Sequence, residues 1–252
     1  MYIITDINMF FTVSDRTDGF GGQFQTIICC ILLAENTGNE YIHNNIRCIE
    51  HNYDNDPEYI SKVESLMNII GNYKSRDELE LTDVDVVVFT PQEIIYNFEK
   101  NMNILMRSES LVKLKSNFWK NKNRNFFNND AINIAIHIRR PNPHDNREDG
   151  ANTHLKYYFD IIESLKKTII TDKQLIFHIY SQNEVSDYDE FGKEGLCFHL
   201  NESLFDTFTG LVAADILVTS RSSLSYSAAI LSDGLILYQP FWHPPDEKWI
   251  IC

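Results

Sequence analysis

The stretch "AINIAIHIRRPNPHDNREDGANTH", residues 131–154, starts with isoleucines at 132, 134, 136 and 138 around Ala135 and His137, then turns abruptly to charge. A run so rich in isoleucine reads as a buried strand, central in its sheet. The segments that follow it alternate in type. "THLKYYFDIIESLKK" (153–167) reads as a helix, "QLIFHIYS" (174–181) as a strand and "ESLFDTFTGLVAA" (202–214) as a helix. "DILVTS" (215–220) is then a strand, "SLSYSAAILS" (223–232) a helix and "LILYQP" (235–240) a strand. Strands separated by helices of this length imply right-handed crossovers and a mostly parallel sheet, an α/β fold.

The first half follows the same grammar less regularly. "YIITDI" (2–7) and "MFFTVS" (9–14) read as strands, and "GGQFQTIICCILLAENTG" (21–38) as a helix closed by Gly38. "DVDVVVFT" (83–90) is a further strand, and "PQEIIYNFEKNMNILMRS" (91–108) one helix opened by proline. The polar, aromatic-containing segment 116–130 is the expected junction, giving a smaller α/β domain at 1–125 and a Rossmann-like domain at 126–252.

Composition narrows the function. The 252 residues carry a formal charge of −14, which argues against nucleic acid as a partner, because such proteins need a positive surface to displace counterions from phosphates. No window reaches the ~18 apolar residues of a membrane span, so the chain reads as soluble, cytoplasmic as given, with an anchor outside this sequence left open. The five cysteines have no CxxC or metal-ligand spacing and are expected as reduced, mostly buried thiols. "DVD" at 83–85 and "DYDE" at 187–190 are not at strand ends suited to holding a metal-bound sugar nucleotide, so no metal is expected.

In an open parallel sheet, ligands bind beyond the carboxyl ends of the strands. That rule makes His137, Arg139 and Arg140 candidate ligand residues. Alternation places His137 and Arg139 on one side of the strand and Arg140 on the other, so that one arginine could bind a ligand while the other anchors the following loop through Asp145, Glu148 or Asp149, the alternative being that both are structural ion-pair partners. A second strand end, "DILVTSRSS" (215–223), runs into a helix start with Ser222 and Ser223, where free amides and hydroxyls favour an anion, or where the serines simply cap. A third piece, "TDGFGGQFQ" (17–25), is a glycine turn between strand and helix, neither a GxGxxG nor a P-loop. His178 is expected as a histidine of the core or sheet face.

"HIRR", the glycine loop ending in Gln23 and "ADILVTSRSS" together resemble the GDP-fucose-dependent fucosyltransferases, the α1,2, α1,6 and protein-O group, with most likeness to the α1,6 branch over residues 130–240. The resemblance implies a compact GT-B-like glycosyltransferase whose donor substrate is a GDP-sugar, GDP-fucose first, and which needs no metal or cofactor. It implies inverting transfer onto a hydroxyl of a glycan acceptor. The donor-binding residues carried over are His137, Arg139, Arg140, Asp206 (guanine), Ser222, Ser223, Gly21 and Gly22. Arg139 would act on the leaving β-phosphate, and Glu148 would be the base, with Asp145 and His154 as alternatives. The chain departs from the pattern at Asn142, at His144 and at Gly22, where the family has Asp, Lys and Asn. Another GDP-sugar, a UDP-sugar such as UDP-xylose, and a non-catalytic sugar-nucleotide- or glycan-binding protein are the alternative readings.

Overall fold

A computed structural model describes residues 9–52, 55–78, 86–140, 153–192 and 194–252. The chain forms two compact units, Met1–Lys122 and Asn123–Cys252. Both are α/β, and among the described residues every strand pairing in them is parallel.

The first unit contains β1 (Phe10–Val13), α1 (Phe20–Asn36), β2 (Glu40–His43), α2 (Tyr59–Met67), β3 (Lys74–Ser75) and β4 (Val86–Phe89), followed by α3 (Pro91–Lys100), α4 (Met102–Leu105) and α5 (Glu109–Trp119). Its sheet order is β3-β2-β1-β4. The run from Ile27 to Ala34 in α1 is apolar all round, as a helix enclosed by protein must be, and all eight residues are buried. The single helix expected over 91–108 is interrupted. Asn101 leaves helical geometry (φ −113°, ψ 13°), and the Asn97 and Asn101 amides bond back to the carbonyls of Glu93 and Asn97. Such local side-chain bonding competes with the helix ladder. Proline at the first position and a capping box between Thr90 and Glu93 fix the start of α3.

The second unit contains β5 (Ile132–His137), α6 (Leu155–Thr168), β6 (Leu175–Ser181), β7 (Leu196–Leu200), α7 (Leu204–Ala213), β8 (Ile216–Val218), α8 (Ser223–Leu231), β9 (Leu235–Tyr238) and β10 (Ile250–Ile251). The sheet order β7-β6-β5-β8-β9-β10 is, counted within the unit, the 3-2-1-4-5-6 order of doubly wound nucleotide-binding folds. β5 is therefore the strand from which the chain winds first to one side and then to the other. Ile134, Ile136, Phe177, Ile179, Val218 and Leu237 form the core around it. Tyr180 on β6 packs its ring edge against the Cα of Gly210 on α7, so closely that a side chain there would overlap the phenol.

The thiols differ from expectation: all five are free, but only Cys29 and Cys30 are buried, while Cys48, Cys197 and Cys252 are exposed. Among the described residues no helix is long and apolar enough to cross a membrane, and no group of three His, Cys, Asp or Glu is placed to hold a metal ion.

Candidate functional site

The switch point of the second sheet lies between β5 and β8, and the two motifs singled out in the sequence end there. His137 closes β5, and its Nδ1 shares a 2.8 Å hydrogen bond with the Oγ of Ser220, just beyond β8. Both side chains are buried. Burial, reinforced by the nearby Arg139 charge, pushes the His137 imidazole down to about 4, so it is neutral at physiological pH. Its role in this geometry is that of a hydrogen-bonding tie between two strand ends, not of a cation.

The two arginines separate as alternation requires. Arg139 is half-buried beside His137. Arg140 turns to the β6 side, where its Nε donates to the Tyr188 hydroxyl at 3.2 Å and its guanidinium lies 5.0 Å from the centre of the Tyr188 ring. Tyr188 in turn donates to the Gln182 carbonyl and bonds Ser181, whose hydroxyl donates to the Ile138 carbonyl at 2.8 Å. Arg140 is thus built into the wall of the strand end. Asp145, Glu148 and Asp149, its expected partners, lie outside the described residues, as do Asn142, His144 and the 83–85 "DVD".

On the β8 side, the turn is held by its own hydroxyls. The Ser220 amide donates to Ser225 Oγ at 3.1 Å, and Ser222 caps α8 by accepting from the Leu224 amide at 3.3 Å. The cap role weighed in the sequence is therefore realised, and it places the Ser222 hydroxyl and the first turn of α8 at the switch point. Thr219, fully buried, accepts from the Gln239 amide at 3.0 Å. The Gln239 side chain accepts from Tyr158 at 3.2 Å and donates to Thr153 at 2.8 Å, which ties α6 to the end of β9.

Arg221 was missed in the sequence because it sits between the serines that drew attention. It lies near enough to Tyr157 and Tyr158 for its charge to act on both phenols, and Arg140 acts on Tyr158 as well. Three arginines thus surround the carboxyl ends of β5 and β8 in a chain with 22 basic and 36 acidic residues.

Asp206 belongs to the same end of the sheet but two strands away, in the first turn of α7. It forms a local cap there: its amide donates to Ser203 Oγ at 3.1 Å, and Ser203 Oγ donates to its carboxylate at 2.7 Å. Its charge also acts on the buried Tyr180 phenol, which burial pushes up. His154 caps α6, accepting from the Lys156 amide at 3.2 Å. His178 is a buried sheet-face histidine whose Nδ1 shares a 2.9 Å bond with His199 Nε2 and whose Nε2 faces Asn133 Oδ1 at 3.1 Å.

Gly21 and Gly22 lie in the first unit, in the opening turn of α1, whose cap is Gly19 with no side-chain capping bond. A Cβ on Gly22 would run into Asp18 and Arg16, which pair with each other. A side chain there would have to push the ends of both aside.

No known family profile matches the chain, and no characterised protein matches its sequence. Among solved structures it is similar to the α1,6-fucosyltransferase NodZ soaked with GDP-fucose, at 11% identity and a TM-score of 0.44, over 89% of this chain and 93% of that one. It is also similar to NodZ from Bradyrhizobium, at 11% and 0.44, over 89% and 94%. A third likeness is to the E. coli heptosyltransferase WaaC with ADP-2-deoxy-2-fluoro heptose, at 12% and 0.42, over 97% and 93%. Likenesses this remote assign nothing to this chain.

Proposed function

We propose that this chain is a GT-B-like, inverting glycosyltransferase that takes a sugar from a nucleoside diphosphate donor, GDP-fucose before others, and passes it to a glycan hydroxyl without a metal. The observation that carries the reading is the meeting of Arg139, the His137–Ser220 tie and the start of α8 at the switch point of a 3-2-1-4-5-6 parallel sheet.

The chemistry follows from charge. As the bond from the sugar's anomeric carbon to the β-phosphate oxygen breaks, the electron pair leaves with the diphosphate and negative charge grows there. Donors fixed in advance at that position lower the barrier. Arg139, with Arg221 nearby, supplies cationic N–H groups, while the Ser222 hydroxyl and the first-turn amides of α8 supply neutral ones at the positive end of a helix. Neutral His137 holds the two strand ends at fixed spacing. The acceptor hydroxyl attacks from the opposite face, and a carboxylate takes its proton; Glu148 is the residue proposed for that step. Asp206 is proposed to accept from guanine N1–H and the exocyclic amine with the carboxylate oxygen that Ser203 does not hold.

Incubation with a panel of GDP- and UDP-sugars and glycan acceptors in EDTA tests the reading. Transfer from a GDP-sugar that persists in the chelator is the expected outcome. Nucleotide binding without any transfer would leave a binding protein instead, and activity restored only by Mn²⁺ or Mg²⁺ would overturn the metal-free mechanism. The guanine assignment is tested separately: GDP should bind more tightly than UDP, and Asp206→Ala should erase the preference, because uracil cannot present the donor pair. A preference unchanged by the substitution would leave Asp206 as a helix cap only.

A further inference from the structure

A chain of polar side chains crosses the second sheet from Asn133 on β5 through His178 on β6 and His199 on β7 to Glu202 in the turn before α7. Its contacts are His178 Nε2 to Asn133 Oδ1 at 3.1 Å, His178 Nδ1 to His199 Nε2 at 2.9 Å and His199 Nδ1 to Glu202 Oε1 at 2.8 Å. Asn133 and His178 are buried, whereas the side chains of His199 and Glu202 are 23% and 36% exposed. The backbone fixes which amide atom His178 meets. The Ala131 amide donates to Asn129 Oδ1 at 3.0 Å, so that atom is an oxygen. Asn133 Nδ2 donates to the same oxygen at 3.0 Å and to the Ala131 carbonyl at 3.3 Å, which leaves the Asn133 oxygen facing His178.

An acceptor therefore closes the chain at each end, the Asn133 oxygen and the Glu202 carboxylate, and each takes a proton from the ring that faces it. The contact between the two rings needs a third proton, and two neutral imidazoles bring only two. We propose that the chain holds one extra proton, as an imidazolium at His199 paired with the Glu202 carboxylate, and that this proton is a pH-operated latch on the turn leading into α7. Burial, with His199 adding to the shift, pushes the His178 imidazole down to about 4, which puts the charge on the outer ring. The acidic groups around the chain favour it there. Glu202, Asp206 and Cys197 all act on the Tyr180 phenol, whose ring stacks on His199 at 4.5 Å, and Asp215 accepts from the Asn133 backbone amide at 2.8 Å. As pH rises, the proton leaves His199 Nδ1, the exposed end. The bare nitrogen then faces the carboxylate lone pair to lone pair, and Glu202 swings into water. Glu202 directly precedes Ser203, the cap of α7, so its release bears on the first turn of that helix, where Asp206 lies.

The latch needs no ligand and does not depend on the nucleotide-binding reading. Nitrogen NMR of the histidine rings and backbone amides of the whole chain, followed from about pH 9 to about pH 5, tests it. As pH falls, His199 should gain its second ring proton on Nδ1 while His178 keeps a single proton on Nε2 down to about pH 5. The backbone amides of residues 201–206 should shift with the same midpoint. Glu202→Gln is the decisive variant at this exposed position. Its side-chain amide can donate to a bare Nδ1, so the chain closes with two neutral rings, and the midpoint should fall by about one pH unit or more. A His178 proton on Nδ1 instead of Nε2, amides at 201–206 that do not follow the titration, or a midpoint that Glu202→Gln leaves unchanged would overturn the proposal.

Discussion

Turnover of a GDP-sugar by an Arg139→Ala variant is expected to fall by roughly 10²-fold or more. Arg139 lies beside the neutral His137 at the end of β5, where a leaving diphosphate would gain charge, and a charge-assisted contact to a leaving group strengthens as the bond breaks. The loss should therefore appear in kcat and not in KM alone. Ser222→Ala is the internal control: it removes one neutral hydroxyl while the α8 amides remain, and its cost should be about 1 kcal/mol. Steady-state kinetics on both variants, with thermal unfolding to show that each still folds, make the comparison. Equal and mild effects at the two positions would make Arg139 a structural residue.

The second large effect is on acid stability. His137 and His178 are both pushed down to about 4, chiefly by burial, with Arg139 and His199 adding to the shift. Each is close to 6.5 when the chain is unfolded. Between those values the unfolded chain binds more protons, so stability is complete above about pH 6.5 and is lost as pH falls toward 4. Between pH 7 and pH 5 the two together should remove roughly 2 to 4 kcal/mol. Relief of self-repulsion acts in the opposite direction as an acidic chain nears its pI of about 4.9, so the informative quantity is a difference between proteins. Urea unfolding at pH 7 and pH 5 should show a much smaller acid loss in a His137→Asn, His178→Asn double variant than in the parent. Equal losses in the two proteins would mean that neither histidine titrates with folding.

The parts of the fold that were legible in the sequence are those where burial writes a long, uniform pattern. β5, β6 and β8 are buried along most of their length, and the isoleucine- and leucine-rich residues around 132–138, 175–181 and 216–218 say so directly, even though Asn133, His137 and His178 interrupt them. β2 and β7 were not read. "EYIH" is only four residues long, too short for a pattern to show although three of them are buried, and "LCFHL" lies at the sheet edge, where partial exposure dilutes the apolar pattern. The break at Asn101 was equally silent, because asparagine is tolerated inside helices and only its back-bonding to Asn97 marks the end of the ladder.

The candidate site was legible as strand ends and not as a constellation. Local spacing gives the side of the strand on which Arg139 and Arg140 emerge, but strand order is a tertiary property, and only the order β5-β8 brings His137 to Ser220 across 83 residues of chain. Arg140's stacking on Tyr188, and Arg221's approach to the two α6 phenols, depend on the same long-range assembly.

Calorimetric titration of GDP in EDTA, into the parent chain and into Arg139→Ala, tests the central claim most directly, because it asks whether a nucleoside diphosphate is held at the β5–β8 switch point by arginine and helix-start donors alone. The account predicts saturable binding without metal that weakens at least tenfold on loss of the guanidinium. Absence of binding in EDTA, or an affinity that Arg139→Ala leaves unchanged, would contradict it.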